Sequence, residues 1–234
     1  MSQTLNAYIE KTYVAETQRR TAELHALQAQ INPHFLANTI ESIRMKASAD
    51  GNYEVSQMLA NLGNLFRWIM QFHDSIIYVE DELDYIKSYL ELQEFRFGGM
   101  LDIDINASSD ILYLGIPKFT LQPVVENCLS HNAPRSSKPL SISICLSRKK
   151  NILELTVQDD GDGMDADKLQ SLMDHITGKQ ERKDFGIALQ NVNTRIRLLF
   201  GEPYGLSVTS IPHSGTKVTV TMPALEKKEM ANYV

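Results

Sequence analysis

The hydrophobic pattern of the chain first changes at Gly98-Gly99, and this change limits the possible folds more than any other feature. Before it, apolar residues recur every three to four positions, as they do in amphipathic helices. After it, the segments LDIDINA, LSISICLS and LELTVQ alternate apolar and polar residues, as strands do. We therefore predict a helical part over residues 1–97 and a second, mixed part over residues 98–234.

Two helices joined by the turn ADGN, residues 49–52, are predicted in the middle of the first part. The earlier helix carries QINPHFLANTI. Since proline lacks an N–H, Asn32-Pro33 should either kink the helix or restart it, with Asn32 as the cap and Pro33 at the first helical position. The later helix has one apolar side, formed by Val55, Met58, Leu59, Leu62, Leu65, Phe66 and Ile69. Because two helices cannot enclose a core alone, we expect two chains to pair into a dimeric four-helix bundle.

Upstream of Pro33, Leu24, Leu27 and Ile31 have the spacing of a coiled-coil seam. A further helix is predicted over about residues 80–97, with acidic residues in its first turn. In the second part, helices over residues 121–131 and 186–200 are interleaved with the strands, and GLSVTSI and GTKVTVTM form the last two strands. The predicted fold class is α+β, with an N-terminal helical hairpin followed by an α/β layer domain.

Composition excludes several classes of function. The 234 residues carry a formal charge of −6 and no dense Lys/Arg run, so we expect no nucleic-acid partner. Cys128 and Cys145 lack the spacing of a metal site, and no signal peptide or membrane-spanning apolar run is found. Neither a P-loop nor a G-x-G-x-x-G motif occurs, so any nucleotide must be bound in another way.

The segment VVENCLSH places Asn127 and His131 on one face of a predicted helix, with Glu126 beside Asn127. An amide oxygen next to a carboxylate is a sparse but suitable site for Mg²⁺, which keeps several waters. Taken alone, these residues are better explained as the solvated face of a buried helix.

The segment VQDDGDGM ends a strand in acidic residues and glycines. Asp159 at a rigid strand end can accept a hydrogen bond from an exocyclic amine, and Gly161 and Gly163 allow a flat ring to approach the backbone. A solvated turn is the alternative. A calcium loop is excluded, because aligning Gly163 with its glycine puts Gln158 and Leu169 at ligand positions.

Two weaker signals follow. In DFGIAL, Gly186 stands at the start of a predicted helix, where free N–H groups and the helix dipole favour phosphate. In SGTKV, Gly-Thr opens a strand. Either pattern is common for structural reasons alone.

The order of these motifs resembles the ATP-binding domain that gyrase, heat-shock chaperone, histidine kinase and mismatch-repair ATPases share, an α/β two-layer sandwich. The first half, with QINPHFLANTI, LFRW, VEDELDYIKSYLELQEFRF and IPKFTLQPVVEN, resembles the LytS/YesM-type sensor histidine kinases of bacteria. The resemblance covers about residues 25–223.

This resemblance implies roles for individual residues. His34 would be the phospho-acceptor, Asn127 would bind Mg²⁺ with Glu126 beside it, and His131 would face the phosphates of ATP. Asp159 would recognise the adenine amine, Gly161 and Gly163 would shape the pocket, and Thr216 would line its adenine end. Residues 175–185 would form a lid that offers Lys179, Arg182 or Lys183 to the γ-phosphate, and Gly186 would start the phosphate-facing helix.

The chain departs from the family pattern at four positions. Ala37 stands where the family often has Phe, Ala188 where a second Gly is usual, and Asp160 where Asn is frequent. Phe35 stands where many histidine kinases have an acid that can take the proton of the histidine. Glu41 is about 10 Å of helix rise away from His34, too far for a hydrogen bond. We hypothesise that Asn38 orients the ring and that Glu126, or bulk water after transfer, accepts the proton.

The implied function is that of a sensor histidine kinase core: it autophosphorylates with ATP and Mg²⁺, acts as a homodimer and passes the phosphoryl group to an aspartate of a response regulator. An ATP-binding scaffold and a conformational ATPase, both without histidine phosphotransfer, are the alternatives. The chain is expected to be the cytoplasmic domain of a cell-membrane protein whose transmembrane sensor lies upstream and outside this chain.

Overall fold

The computed structural model describes residues 33–71, 75–131, 138–179 and 187–233. Contacts divide the chain into two compact units, Met1–Met70 and Gln71–Val234. The predicted cap Asn32 and the seam of Leu24, Leu27 and Ile31 lie outside the described residues. None of the helices in the described ranges is both long and apolar enough to cross a bilayer.

The first unit contains the predicted helical hairpin, formed by α1 (Pro33–Ala49) and α2 (Tyr53–Gln71). In the turn between them Gly51 has a φ of 76°, and the Asn52 side chain accepts a hydrogen bond from the Val55 N–H at 3.2 Å, which caps α2. Leu65 and Trp68 of α2 are buried. Large apolar side chains nevertheless remain exposed on both helices, namely Phe35, Ile43, Met45, Tyr53, Val55 and Ile69.

The second unit combines helices with strands. Its helices are α3 (Val79–Arg96), α4 (Leu121–His131), α5 (Ala166–Ile176), α6 (Ala188–Phe200) and the short α7 (Lys227–Met230). Its strands are β1 (Ile76–Tyr78), β2 (Leu101–Ala107), β3 (Gly115–Pro117), β4 (Leu140–Lys149), β5 (Ile152–Asp159), β6 (Gly205–Ile211) and β7 (Gly215–Pro223).

The long strands form a five-stranded sheet in the order β2-β4-β5-β7-β6. The β2–β4 pair is parallel and the other pairs are antiparallel. Alternate residues of the central strands are buried, among them Ile142 and Ile144 of β4, Leu155 and Val157 of β5, and Val218 and Val220 of β7. Helices α4, α5 and α6 pack on the sheet strands, so the predicted α/β sandwich is confirmed.

Some elements were not predicted. Strands β1 and β3 pair antiparallel, but three residues each are too short to show an alternation. Helix α5 was also missed, although its sequence carries two helix signals. Its apolar residues Leu169, Leu172 and Ile176 have helical spacing, and Asp165 is a capping residue whose side chain accepts a hydrogen bond from the Lys168 N–H at 2.8 Å.

The predicted boundary at residues 97 and 98 does not coincide with the division into compact units, which falls after Met70. Helix α3 contacts β1, β3 and α4 of the second unit. It also contributes Val79, Leu83, Ile86 and Leu90 to the buried core. The gap in periodicity at Gly98-Gly99 therefore marks a change in secondary structure within one unit.

Candidate functional site

Asp159, the last residue of β5, is a fixed and almost completely buried carboxylate, 3% exposed. Its Oδ1 accepts hydrogen bonds from the Gly161 N–H at 3.0 Å and the Thr216 N–H at 3.2 Å, and its carboxylate is also hydrogen-bonded to the Cys128 thiol. Burial raises the pKa of Asp159, while the two N–H groups and the thiol act in the opposite direction. The result is a hydrogen-bond acceptor held at one position.

Gly163 and Gly215 allow the backbone segments around Asp159 to approach closely. Gly163 has a φ of 64°, and a Cβ there would lie 2.0 Å from the Ile211 carbonyl oxygen. Gly215 has a φ of 92°, and a Cβ there would lie 1.9 Å from the Asp159 carbonyl oxygen. Gly163 thus packs against the end of β6, and its lack of a side chain serves the packing of the loop directly.

Gly163→Ala is expected to lower the free energy of unfolding by more than about 2 kcal/mol, because the left-handed φ and the overlap with Ile211 both oppose a methyl group. The matched control is Gly98→Ala, at a φ of 60° with nothing within 4 Å of an added Cβ. It should cost about 1 kcal/mol, since only the backbone term applies. Urea unfolding of both variants measures the difference, and equal losses would contradict the packing argument.

Asp160, which adds a negative charge beside Asp159, is compensated in the structure. Its Oδ1 accepts from the Ser141 N–H at 2.8 Å, and its Oδ2 accepts from the Lys138 ammonium group. Although burial acts to raise it, the pKa of Asp160 is lowered overall by these two partners. The extra charge is therefore neutralised locally by Lys138.

Helix α4 presents Glu126 and Asn127, both half-buried. Glu126 Oε1 accepts a hydrogen bond from Gln122 Nε2 at 2.7 Å, one turn earlier on the same helix. Glu126 also contributes, after burial, to raising the pKa of Tyr89 on α3 to about 12. The backbone of His131 ends α4, and its side chain lies outside the described part of the chain.

The donor set on α4 fits a sparse magnesium site and no richer one. In the described ranges, no group of three or more His, Cys, Asp or Glu side chains is placed to hold a metal ion. One carboxylate and one amide oxygen suit Mg²⁺ when phosphate and water complete the octahedron.

Thr216 lies beside Asp159 at the start of β7, where its hydroxyl is 2.9 Å from the Ser210 hydroxyl. Lys179 is exposed just after α5. Arg182, Lys183 and Gly186 lie outside the described residues, and the description resumes at Ile187, before α6. The structure therefore brings Gly161, Thr216 and Asp159 together. Lys179 lies within the predicted lid, whose first residues, His175 and Ile176, are instead the buried end of α5.

His34 is exposed on α1 in the first unit. The Asn38 amide nitrogen, one helical turn away, lies 3.2 Å from its Nδ1 and 3.3 Å from its Nε2. Glu41 forms two hydrogen bonds with Arg44, at 2.8 and 2.6 Å. The Arg44 hydrogen bond lowers the pKa of Glu41, so this carboxylate is a poor proton acceptor as well as a distant one.

Two polar residues at the site were not identified from the sequence. Cys128 is buried, and its thiol is hydrogen-bonded to Asp159. Ser210 accepts from the Met164 N–H at 2.8 Å and donates to the Gly215 carbonyl at 2.9 Å, which ties the loop after β5 to the β6–β7 turn. The spacing of Val124, Cys128 and Leu129 along α4 indicated that Cys128 is buried, but nothing in the sequence indicated its partner.

Two family models match the chain. Residues 22–101 match the model described as "Histidine kinase". Residues 118–226 match the model described as "Histidine kinase-, DNA gyrase B-, and HSP90-like ATPase". The two matches cover the helical hairpin with α3 and most of the sheet domain, respectively.

Curated relatives match over most of the chain. The sensor histidine kinase YesM of Bacillus subtilis (strain 168) is 36% identical over 223 residues, which are 95% of this chain and 37% of that protein. The sensor protein LytS of the same organism is 34% identical over 214 residues, 90% of this chain and 35% of LytS. The chain thus spans little more than a third of the length of these relatives.

Among solved structures, the catalytic domain of the histidine kinase ThkA in a nucleotide-free form is similar to the chain, with a TM-score of 0.51 and 10% sequence identity. The match covers 64% of this chain and 97% of that domain. At this identity the likeness establishes the fold of the sheet domain and nothing about its ligands.

Proposed function

The chain belongs to the LytS/YesM-type sensor histidine kinases, and from this membership we propose that it is the autophosphorylating core of a two-component system. In this proposal ATP binds in the sheet domain at Asp159, and His34 of the helical hairpin receives the γ-phosphoryl group. The observation that carries it is the buried Asp159 carboxylate, held by the Gly161 and Thr216 N–H groups within a domain of the ATPase family.

The proposed reaction is an in-line displacement. An imidazole nitrogen of His34 forms a bond to the γ-phosphorus while the bond from that phosphorus to the oxygen bridging it to the β-phosphate breaks, and ADP leaves. Catalysis of this kind consists mainly of positioning and charge neutralisation. Asn127, with Glu126 beside it, would hold Mg²⁺, which neutralises phosphate charge when bound. His131, Lys179, Arg182, Lys183 and the α6 segment that begins near Gly186 would contact the phosphates.

The partners follow from the same proposal. A second copy of the chain would cover the exposed apolar side chains of α1 and α2, such as Phe35 and Met45, giving the four-helix bundle. A response regulator would take the phosphoryl group on an aspartate. We place the chain on the cytoplasmic side of a cell-membrane protein, since its curated relatives are sensor proteins about 2.6 times its length.

The experiment that tests this function is incubation of the purified chain with Mg²⁺ and ATP labelled at the γ-phosphate. A histidine kinase core acquires label that is stable in alkali and lost in acid. A conformational ATPase would release labelled phosphate without becoming labelled, and an ATP-binding scaffold would do neither. Either of these outcomes would overturn the proposal.

Glu126→Gln is expected to slow autophosphorylation roughly 100-fold while Mg-ADP affinity changes less than about threefold. The amide keeps the size and the hydrogen bond to Gln122 but cannot accept the proton that leaves His34. Glu94→Gln, at an exposed carboxylate on α3, is the control and should be unchanged. Single-turnover labelling measures the rate, and a wild-type rate in Glu126→Gln would assign the proton to water.

A further inference from the structure

Phe119, in the short link between β3 and α4, adopts a backbone conformation that is unusual for a side chain of its size. Its φ is 58°, in the left-handed region that favours glycine. Such a conformation persists only where the surroundings over-determine it. Both polar groups of the residue are held by side chains from other helices: its N–H by Glu82 of α3 and its carbonyl by Arg195 of α6.

Glu82 is the more unusual of these two partners because its side chain is fully buried, with 0% exposure. Its Oε2 accepts from the Phe119 N–H at 3.0 Å, and its Oε1 accepts from the Leu121 N–H, the first of α4, at 2.9 Å. The carboxylate therefore serves as the N-terminal cap of α4, supplied from a residue 39 positions earlier in the chain.

Arg195 of α6 donates to the Phe119 carbonyl oxygen from its terminal nitrogen at 2.7 Å. The phenyl ring is held as well, edge-to-face with Tyr85 of α3 at 5.7 Å and with the Lys118 ammonium 5.0 Å from its centroid. The Phe119 peptide is thus the point at which α3, α4 and α6 are joined by polar contacts. We call Glu82, Phe119 and Arg195 the bracket.

Burial of a carboxylate has an energetic cost, which favours a role beyond packing. Burial raises the pKa of Glu82 to about 6, against the opposing effect of the Leu121, Phe119 and Thr120 N–H groups and the Arg195 charge. The other titratable groups that face it are Lys118 in the link and Tyr85 on its own helix. Above this pKa both oxygens accept; below it, one oxygen carries a proton directed at a backbone donor.

We propose that Glu82 and Arg195 are positioning residues for the nucleotide site, because they hold the Phe119 peptide and thereby set where α4 places Glu126 and Asn127 relative to α6. The inference rests on the proposed function, in which α4 and α6 lie on the phosphates. Asn127 is six residues, about 9 Å of helix, beyond the capped Leu121. A small tilt at the cap therefore displaces Asn127 by a distance that matters to phosphoryl transfer.

The test is Glu82→Gln, which keeps the shape of the side chain but replaces one acceptor by an N–H that meets a backbone N–H. At pH 7.5 we expect Mg-ADP affinity to fall about tenfold and single-turnover labelling to fall by at least that factor, while the unfolding midpoint, lowered by the unpaired donor, stays above the assay temperature. Glu80→Gln, two residues away and exposed on α3, should change none of these.

The pH profile separates positioning from mere stability. At pH 5 the wild type carries a protonated carboxyl group at residue 82 and the variant carries an amide. The ratio of the variant's Kd for Mg-ADP to that of the wild type should therefore be near one. It should rise to about tenfold by pH 7.5, half complete near pH 6. Because the ratio compares the same ligand on two proteins, protonation of the phosphates cancels.

Arg195→Met is an independent variant. It removes the hydrogen bond to the other backbone group of Phe119, its carbonyl oxygen. It should weaken Mg-ADP binding in the same direction, and the double variant should be no weaker than the weaker single one, since either change alone releases the Phe119 peptide. Wild-type binding and labelling in both single variants, a flat pH ratio, or additive effects would each overturn the bracket. Failure of the wild type to bind nucleotide would instead overturn the proposed function, and the bracket with it.

Discussion

His34→Ala is expected to abolish labelling of the chain by γ-labelled ATP, with a loss of at least about 1000-fold, because the substitution removes the nucleophile that forms the covalent bond. The affinity for Mg-ADP should stay at the wild-type value, since His34 lies in the helical unit and the residues assigned to adenine lie in the sheet domain. Label retained on the protein after a quench with EDTA and detergent and an alkaline gel, together with equilibrium binding of a fluorescent ADP analogue, measures both quantities.

A matched control for this variant is His213→Asn. His213 is exposed in the β6–β7 turn with a φ of 58°, a conformation that asparagine tolerates well. It should label at the wild-type rate. Alkali-stable label that persists in His34→Ala would show that another histidine is the acceptor and would refute the assignment of His34 while leaving a kinase.

Asp159→Asn is expected to weaken ATP and Mg-ADP binding roughly 100-fold, because a site built to accept a hydrogen bond from an amine then presents a donor to it. The change is nearly isosteric. The Asn oxygen can still accept from the Gly161 and Thr216 N–H groups, so the loop around the site should keep its conformation. Isothermal titration with Mg-ADP measures the loss, and the unfolding midpoint reports whether the fold is intact.

The specificity of this variant makes the test sharper. Inosine diphosphate carries a carbonyl oxygen where ADP carries the amine, so the preference of the wild type for ADP should shrink or reverse in Asp159→Asn. Asp160→Asn is the matched control, since the neighbouring carboxylate is engaged by Ser141 and Lys138 rather than directed at a ligand. An unchanged ADP preference in Asp159→Asn would remove Asp159 from the adenine site.

Most of the fold was predictable because its long helices and strands have a hydrophobic periodicity that can be recognised in the sequence alone. The segment LDIDINA coincides with β2, and GLSVTSI with β6. The helix expected at residues 121–131 has those bounds in the structure. Strands β1 and β3 were not predicted, because three residues cannot show a period and because the two paired strands are nearly forty residues apart in the sequence. The break at Gly98-Gly99 lies within the second compact unit. The sequence does not show this, because the spacing of the apolar residues of α3 does not reveal which unit buries them.

The candidate site was likewise only partly predictable from the sequence. Asp159, Gly161 and Thr216 were selected as separate motifs, and the structure joins them through one carboxylate oxygen that accepts two backbone N–H groups. The functional roles of all these residues stay predictions, as do those of His34, Asn38, Glu126, Asn127, Gly163 and Lys179. The side chain of His131 and the residues Arg182, Lys183 and Gly186 lie outside the described part of the chain. Compensation of Asp160 by Lys138 could not be predicted, because residues 22 positions apart meet only through the sheet register.

The sequence by itself determined the class of the protein: which segments are helix or strand, which order the nucleotide motifs follow, and which histidine stands in the hairpin. These properties depend on neighbouring residues or on the order of motifs along the chain. Only the tertiary structure decided that Glu82 caps a helix 39 residues away, that Arg195 holds the other end of the Phe119 peptide, and that Cys128 lies against Asp159. A buried polar group takes its partner from whatever element the fold packs against it, and that identity exists only in three dimensions.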